Sequence, residues 1–217
     1  MINLYLIRHA ESEGNLNHHL IGGQSNHFRL TERGVRQCDL LGERLQRENW
    51  HFDRVYSSTA VRARETARIV CGYVGFPEAD IQLTDNILEL SQGDWVGYVR
   101  KEIYTPEVVA QVRANSYDFK APGGESQREV EARMAAWFRE ITAEFDGSEN
   151  LNIACFSHGF ALKTLLRHIL EASPAFTYRI MLHNTSVTGL QLVHGDWHLE
   201  RINDHAHLAG TEFVAHY

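Results

Sequence analysis

The sequence predicts an α/β fold with a mostly parallel central sheet, built as a single domain over residues 1–217. Three observations carry that prediction. Short apolar runs suited to strands stand at 2–8, 53–57 and 152–157. Segments with helical spacing of apolar residues follow them. No internal repeat and no linker-like stretch interrupts the chain. Strands alternating with helices in this order connect by right-handed crossovers into a parallel sheet.

Residues 2–8, INLYLIR, are rich in aliphatic side chains and bounded by polar residues, as a buried strand is, and His9 falls at its carboxyl end. A Gly- and Asn-rich loop over 14–29 leads to Thr31, an N-cap for a helix whose apolar positions Val35, Cys38, Leu41 and Leu45 recur at helical spacing. The second strand, near 53–57, precedes Ser57 and Ser58. These offer caps to a helix carrying Ala60, Ala63, Ala67 and Val70, ended by the Gly72–Pro77 region. Residues 81–88 read as extended, and 89–122 as short helices and loops. Ser126 with Glu129 forms a capping box ahead of Val130, Met134, Trp137, Ile141 and Phe145, one apolar helix face. NIACFS at 152–157 is another buried strand. A helix follows from about His158 with Leu162, Leu165, Leu166 and Ile169 on one side, and 185–203 reads as a hairpin turning at Gly195 and Asp196.

Composition narrows the function classes. With 43% hydrophobic and 23% charged residues the chain is of ordinary globular make-up. Its 21 Lys and Arg against 28 Asp and Glu give a net charge of −7, which argues against a nucleic-acid partner, since an anionic ligand has to be met by local charge. No run approaches the ~18 apolar residues of a membrane span, and the start MINLYLIRHAESEG lacks the basic region and long apolar run of a signal peptide. Cys38, Cys71 and Cys155 are odd in number and widely spaced, as buried thiols in a reducing compartment are. A cytoplasmic location and no membrane partner are therefore expected. The histidine pairs His18–His19, His194–His198 and His205–His207 lack the spacing of structural zinc or metalloprotease sites, so no metal is assigned.

Ligands of parallel sheets bind at the carboxyl ends of strands. Arg8 and His9 end the first strand, Arg62 follows the second, and His158 ends the NIACFS strand, so the four are predicted to meet at one sheet edge. Two arginines and two histidines there make a cationic pocket in an acidic protein, and the guanidinium fork matches phosphate oxygens. The helix opened by His158 and Gly159 adds the anion preference of a helix amino end. A histidine among arginines has a lowered pKa, which keeps it neutral and nucleophilic toward phosphorus. Taken one at a time, each histidine reads better as a hydrogen-bonded core residue than as a catalytic one. It is the ordered set that points to a site.

LIRHAESEGN at 6–15, SSTAVRARETA at 57–67, LELSQGDWVG at 88–97 and FSHG at 156–159 resemble, in order, the four blocks of the histidine phosphatase superfamily. PGGES at 122–126, NTSVTGL from Asn184 and NDHAHL from Asn203 are similar to its phosphatase branch. The resemblance implies the phosphoglycerate mutase-like three-layer α/β/α sandwich. It also implies that His9 is the nucleophile that becomes phosphohistidine, that Arg8, Arg62 and His158 bind the phosphoryl oxygens, and that Asn15 and Gly22 add phosphate contacts. Glu89 would act as general acid and then as general base, with Asp94 and Glu125 the weaker candidates for that role. No cofactor and no metal would be needed, the partner being a small phosphorylated substrate, and a homodimer is compatible with the sequence.

Three features depart from the pattern. Ala10 stands where glycine is usual and would narrow the approach to phosphate. Gly14 replaces an aromatic residue. The loop GGQSNHFRLT lacks the usual Asp and Pro before Leu-Thr. The function implied is a metal-independent phosphomonoesterase acting on a small metabolite. A phosphoglycerate mutase-type phosphotransferase is the alternative, and mutases of this family typically carry Glu-Arg-His-Tyr-Gly at the acid where this chain has ELSQG. A non-catalytic phospho-ligand sensor is the third option.

Overall fold

The computed structural model describes residues 1–143 and 150–213. In chain order the first half contains β1 (Ile2–Arg8), α1 (Glu13–Leu16), α2 (Glu32–Arg47), β2 (Arg54–Ser58), α3 (Val61–Tyr73) and β3 (Gln82–Thr84). The second half contains α4 (Arg100–Ile103), α5 (Pro106–Ala114), α6 (Gln127–Thr142), β4 (Leu151–Ser157), α7 (Gly159–Ile169), β5 (Val187–Val193) and β6 (Asp196–Asp204). The sheet order is β3-β2-β4-β1-β5-β6. The first four strands are parallel, while β5 runs antiparallel to β1 and pairs antiparallel with β6.

Alternation along the central strands makes two cores, because successive side chains of a strand point to opposite faces. Leu4 and Leu6 of β1 and Ile153 and Cys155 of β4 pack with Met134 and Trp137 of α6 and Leu162 and Leu165 of α7. On the other face Ile7, Ala154 and Phe156 pack with Cys38 and Leu41 of α2 and Val70 of α3. Helices thus cover both faces, giving the three-layer α/β/α sandwich. All three cysteines are buried and unpaired, and burial pushes the thiols of Cys38 and Cys71 up to about 12.

Several local expectations hold in detail. Thr31 caps α2, accepting from Gly34 N at 2.9 Å, and Ser126 with Glu129 closes a capping box on α6. Others need correction. Ala60, not Ser57 or Ser58, is the N-cap of α3; both serines end β2. Val35 is 40% exposed, so the buried apolar side chains of α2 begin at Cys38, behind buried Gly34 and Gln37. The extended stretch expected over 81–88 shortens to three residues of β3, followed by a 3₁₀ turn over Asp85–Ile87. The hairpin turns at His194 and Gly195, one residue earlier than expected. Both have positive φ, 52° and 93°, as a primed two-residue turn requires. Phe145 lies outside the described residues.

Candidate active site

The backbone around His9 is tied down on every side. His9 N donates to Ser157 O at 2.9 Å across the β1–β4 edge, and Asn184 Nδ2 donates to His9 O at 2.8 Å. Ala10 N donates to Thr66 Oγ1 at 3.1 Å, and Thr66 in turn donates to Arg62 O at 2.7 Å. The imidazole of His9 is held as firmly. Its Nδ1 lies 2.7 Å from Ala10 O. A carbonyl only accepts, so Nδ1 carries the proton and the lone pair sits on Nε2. Nε2 accepts from Arg62 Nε–H at 3.3 Å. Burial, then the Arg62 and Arg8 guanidiniums, hold the imidazole well below its usual pKa range.

His9 opens onto a cleft of about 640 Å³ that also exposes Arg8, Asn15, Gly22, Arg62 and Glu89. Four of the five residues with expected catalytic roles, His9, Arg8, Arg62 and Glu89, therefore share one cavity, along with both expected accessory contacts. His158 differs. It is fully buried behind the cleft, its ring centroid 5.1 Å from that of His9, with Nε2 2.8 Å from Ser58 Oγ. Its Nδ1 is buried with no hydrogen-bond partner among the described residues. Burial, then Arg62 and His9, keep this ring neutral too.

Arg62 is 4% exposed and spends much of its fork on one loop, donating to Gln24 O and Ser25 O at 3.0 Å each. That loop bends at Gly23, whose φ of +86° and contacts of 3.0 Å from a would-be Cβ to Gln92 leave room only for glycine. Gly22, by contrast, has open space at its Cα, so its contribution to the cleft is backbone. Asn15 Oδ1 accepts from Ser12 N at 3.0 Å and Ser12 Oγ at 3.2 Å, which commits the oxygen to the α1 cap and leaves the amide NH₂ as the group available to an anion.

Glu89 is placed by the amino end of α7. Its Oε2 accepts from Phe160 N and its Oε1 from Ala161 N, each at 3.1 Å, where free N–H groups favour a carboxylate. Arg133 braces the same segment from α6, donating to Glu89 O at 3.0 Å while pairing with Glu125 at 2.8 Å. Glu125 is thereby occupied, Asp94 is exposed, and neither lines the cleft. Glu89 is the carboxylate at the site beside His9, together with Glu11, which is tied to Thr31 at 2.8 Å and to Arg33 at 3.4 Å.

Two departures from the sequence pattern find their explanation. The methyl group of Ala10 is buried in the apolar cluster under α2 and α3 and does not reach the cleft, so it does not narrow the phosphate approach. At Gly14 a Cβ would lie 2.9 Å from the Phe28 ring, which fills the space an aromatic side chain at 14 would need. Residues that sequence reasoning missed include Ser58, Thr66 and Gln37, which hold His158, Ala10 and Glu11 in place. Their only sequence signal is a polar residue inside an apolar helix or strand pattern. Among the described residues no group of three or more His, Cys, Asp or Glu side chains is arranged to hold a metal ion, and no helix is long and apolar enough to cross a membrane.

The chain is 31% identical over 166 residues to a 2,3-bisphosphoglycerate-dependent phosphoglycerate mutase of Methylobacterium radiotolerans, covering 75% of this chain and 76% of that one. It is 29% identical over 216 residues to a broad-specificity phosphatase of Saccharomyces cerevisiae, covering 99% of this chain and 90% of the yeast protein. Among solved structures, a mutant phosphoserine phosphatase of Entamoeba histolytica in complex with phosphoserine superposes with a TM-score of 0.79 at 26% identity, covering 96% of this chain and all of that one. The family model described as histidine phosphatase superfamily (branch 1) matches residues 4–205, and the chain belongs to that superfamily.

Proposed function

We propose that the chain is a phosphomonoesterase that hydrolyses a small phosphorylated metabolite through a phosphohistidine on His9, without a metal ion. The observation that carries this is the His9 ring, protonated at Nδ1 by its bond to Ala10 O, with its Nε2 lone pair in a cleft beside Arg62, Arg8 and Glu89.

In the first step the Nε2 lone pair attacks phosphorus. An N–P bond forms, the P–O ester bond breaks, and its electron pair leaves on the alcohol oxygen, which takes a proton from the Glu89 carboxyl group. In the second step the Glu89 carboxylate takes a proton from water, whose oxygen attacks phosphorus. The N–P bond breaks, its electron pair returns to Nε2, and phosphate leaves. Arg8 and Arg62 stabilise the charge that develops on the phosphoryl oxygens, with Asn15, the Gly22 backbone and Nδ1 of His158 as further contacts. The two guanidiniums supply the positive charge a metal ion supplies elsewhere.

Hydrolysis is favoured over return of the phosphoryl group to a bound product for two reasons. The acid stands in ELSQG rather than in the Glu-Arg-His-Tyr-Gly run typical of mutases, and the similarity to the yeast phosphatase spans nearly the whole chain. Turnover of p-nitrophenyl phosphate in EDTA by wild type and by His9→Ala tests the proposal. Metal-independent hydrolysis lost in His9→Ala is the expected result; EDTA-sensitive activity, or an active His9→Ala enzyme, refutes it.

A further inference from the structure

The run NDHAHL from Asn203 takes no part in the chemistry assigned to the cleft, and none of its residues lines that cleft. It nevertheless grips the segment 182–186, which holds the end of β1. Arg8 NH1 donates to Leu182 O at 2.5 Å, Thr185 N donates to Arg8 O at 3.0 Å, and Asn184 Nδ2 donates to His9 O at 2.8 Å. The segment is strained, since Thr185 has a φ of +56° and a β-branched side chain rarely adopts this left-handed region. Such a conformation persists only where the surroundings fix it. Here His207 Nε2 lies 2.9 Å from Thr185 Oγ1, and the His205 ring stacks on that of His183 with centroids 4.2 Å apart.

Asn203 reaches this segment next to Arg8. Its Oδ1 accepts from His183 N at 2.7 Å, and its Nδ2 lies 2.9 Å from His183 Nδ1. A backbone N–H only donates, so the amide oxygen faces it, and the Nδ2 donor then meets a bare Nδ1 on a neutral His183. Leu182 O and His183 N belong to one planar trans peptide unit, whose C=O and N–H point in opposite directions. One edge of this plate receives the Arg8 guanidinium, and the other is pinned by Asn203. Rotation of the plate would swing the acceptor away from Arg8. Hydrogen bonds in series through a peptide also polarise one another, so the bond to Asn203 makes Leu182 O a better acceptor. Asn203 is itself fixed. Its N donates to Thr188 Oγ1 of β5 at 3.1 Å, its O lies 2.7 Å from His205 Nδ1, and its φ of +53° suits asparagine better than most residues.

We infer that Asn203 is a positioning residue for Arg8, acting through the Leu182–His183 peptide unit to aim the guanidinium at the phosphoryl oxygens. The inference rests on the phosphoryl-binding role given to Arg8 above.

A double-mutant cycle with Arg8→Ala tests it, because a residue that acts through Arg8 loses its effect once the guanidinium is gone, whereas a residue that merely stabilises the fold does not. Asn203→Gly removes the amide and leaves a residue at ease at that φ. Asn203→Ala is a second amide-free variant, so that either one decides if the other does not fold, and Asn203→Asp keeps an acceptor for His183 N. The readout is kcat/KM for p-nitrophenyl phosphate, taken below the thermal transition of every variant. A loss of about tenfold is expected for Asn203→Gly when Arg8 is present and of less than about twofold in Arg8→Ala, with part of the loss recovered in Asn203→Asp. Calorimetry with inorganic phosphate runs the same cycle without turnover, and the affinity is expected to weaken on loss of the amide only where Arg8 is present. Equal losses in both backgrounds, or no loss in a folded amide-free variant, overturn the inference, while p-nitrophenyl phosphate hydrolysis that needs His9 leaves the phosphatase reading standing. Coupling between Asn203 and Arg8 in phosphate binding, in a protein that hydrolyses nothing, upholds the positioning role and removes the hydrolase.

Discussion

Nε2 of His9 faces Nε–H of Arg62 at 3.3 Å, so the cation nearest the nucleophile is also a donor to its lone pair. With the opposite ring nitrogen committed to Ala10 O and the side chain 5% exposed, protonation of Nε2 would bring two positive groups together in a buried site. The ring pKa is lowered for that reason. Activity should therefore show no acid limb at the ordinary histidine range near 6.5. A kcat/KM profile corrected for substrate ionisation checks this, and a single titration near that value traced to His9 would count against the assigned electrostatics.

Arg62→Lys should be far from conservative. A lysine carries no fork, so it cannot serve His9 and the carbonyls of Gln24 and Ser25 together. Loss of kcat/KM by about 10²-fold is expected, the range seen when one preorganised donor is removed from a charge-stabilising site. Steady-state kinetics with p-nitrophenyl phosphate measure it; a loss below about threefold would show that Arg62 serves the loop and not the reaction.

Glu89→Gln separates acid chemistry from simple charge. Aryl phosphates have good leaving groups and need little protonation, so alkyl phosphates should slow by about 10²-fold more than aryl ones. The substitution also turns an amide NH₂ toward the N–H groups of α7 that now bond both carboxylate oxygens, at a stability cost of about 1–2 kcal/mol. Equal slowing of both substrate types would remove the acid role.

The buried histidines also predict acid lability. His9 and His158 are both held neutral well below 6.5, and burial lowers His207 to about 4. Below 6.5 the unfolded chain takes up protons that the native state refuses, so stability is full above that value and falls as the pH drops through it. Each fully neutral histidine contributes a slope of at most ~1.4 kcal/mol per pH unit. Asp204 has the opposite sign of charge and does not share this window. Its pairing with Arg44 lowers its pKa to about 2, so its contribution is lost only as the pH falls from its ordinary value near 4 through that range. Urea unfolding between about pH 7 and about pH 5 should show the decline, with a shallower slope in His158→Asn; flat stability over that range would contradict it.

How far the sequence could be read follows from what kind of interaction places each residue. Arg8, His9 and His158 were legible because each abuts the end of an apolar strand, and the sheet brings such ends together whatever the loops do. Arg62 was legible for the same reason, one turn beyond β2. Ser57 and Ser58 are not the caps their spacing suggests because both belong to β2, where Ser57 Oγ donates to Ser58 O and Ser58 Oγ, which accepts from Ala60 N at 3.3 Å, also bonds His158 across 100 residues. Val35 fits the helical period yet lies on a solvent-facing side of α2, next to buried Gly34. Glu89 could be named from its block, but its docking on α7 could not. That contact joins residues 71 and 72 positions apart, through backbone N–H groups that every sequence possesses.

The most direct measurement is intact mass after rapid, acid-free quenching of the enzyme during turnover, for wild type and His9→Ala. A single phosphoryl adduct in wild type, labile to acid, mapped to His9 and absent from His9→Ala, is the predicted result. Turnover without any such adduct at His9, or an adduct that persists in His9→Ala, would contradict it.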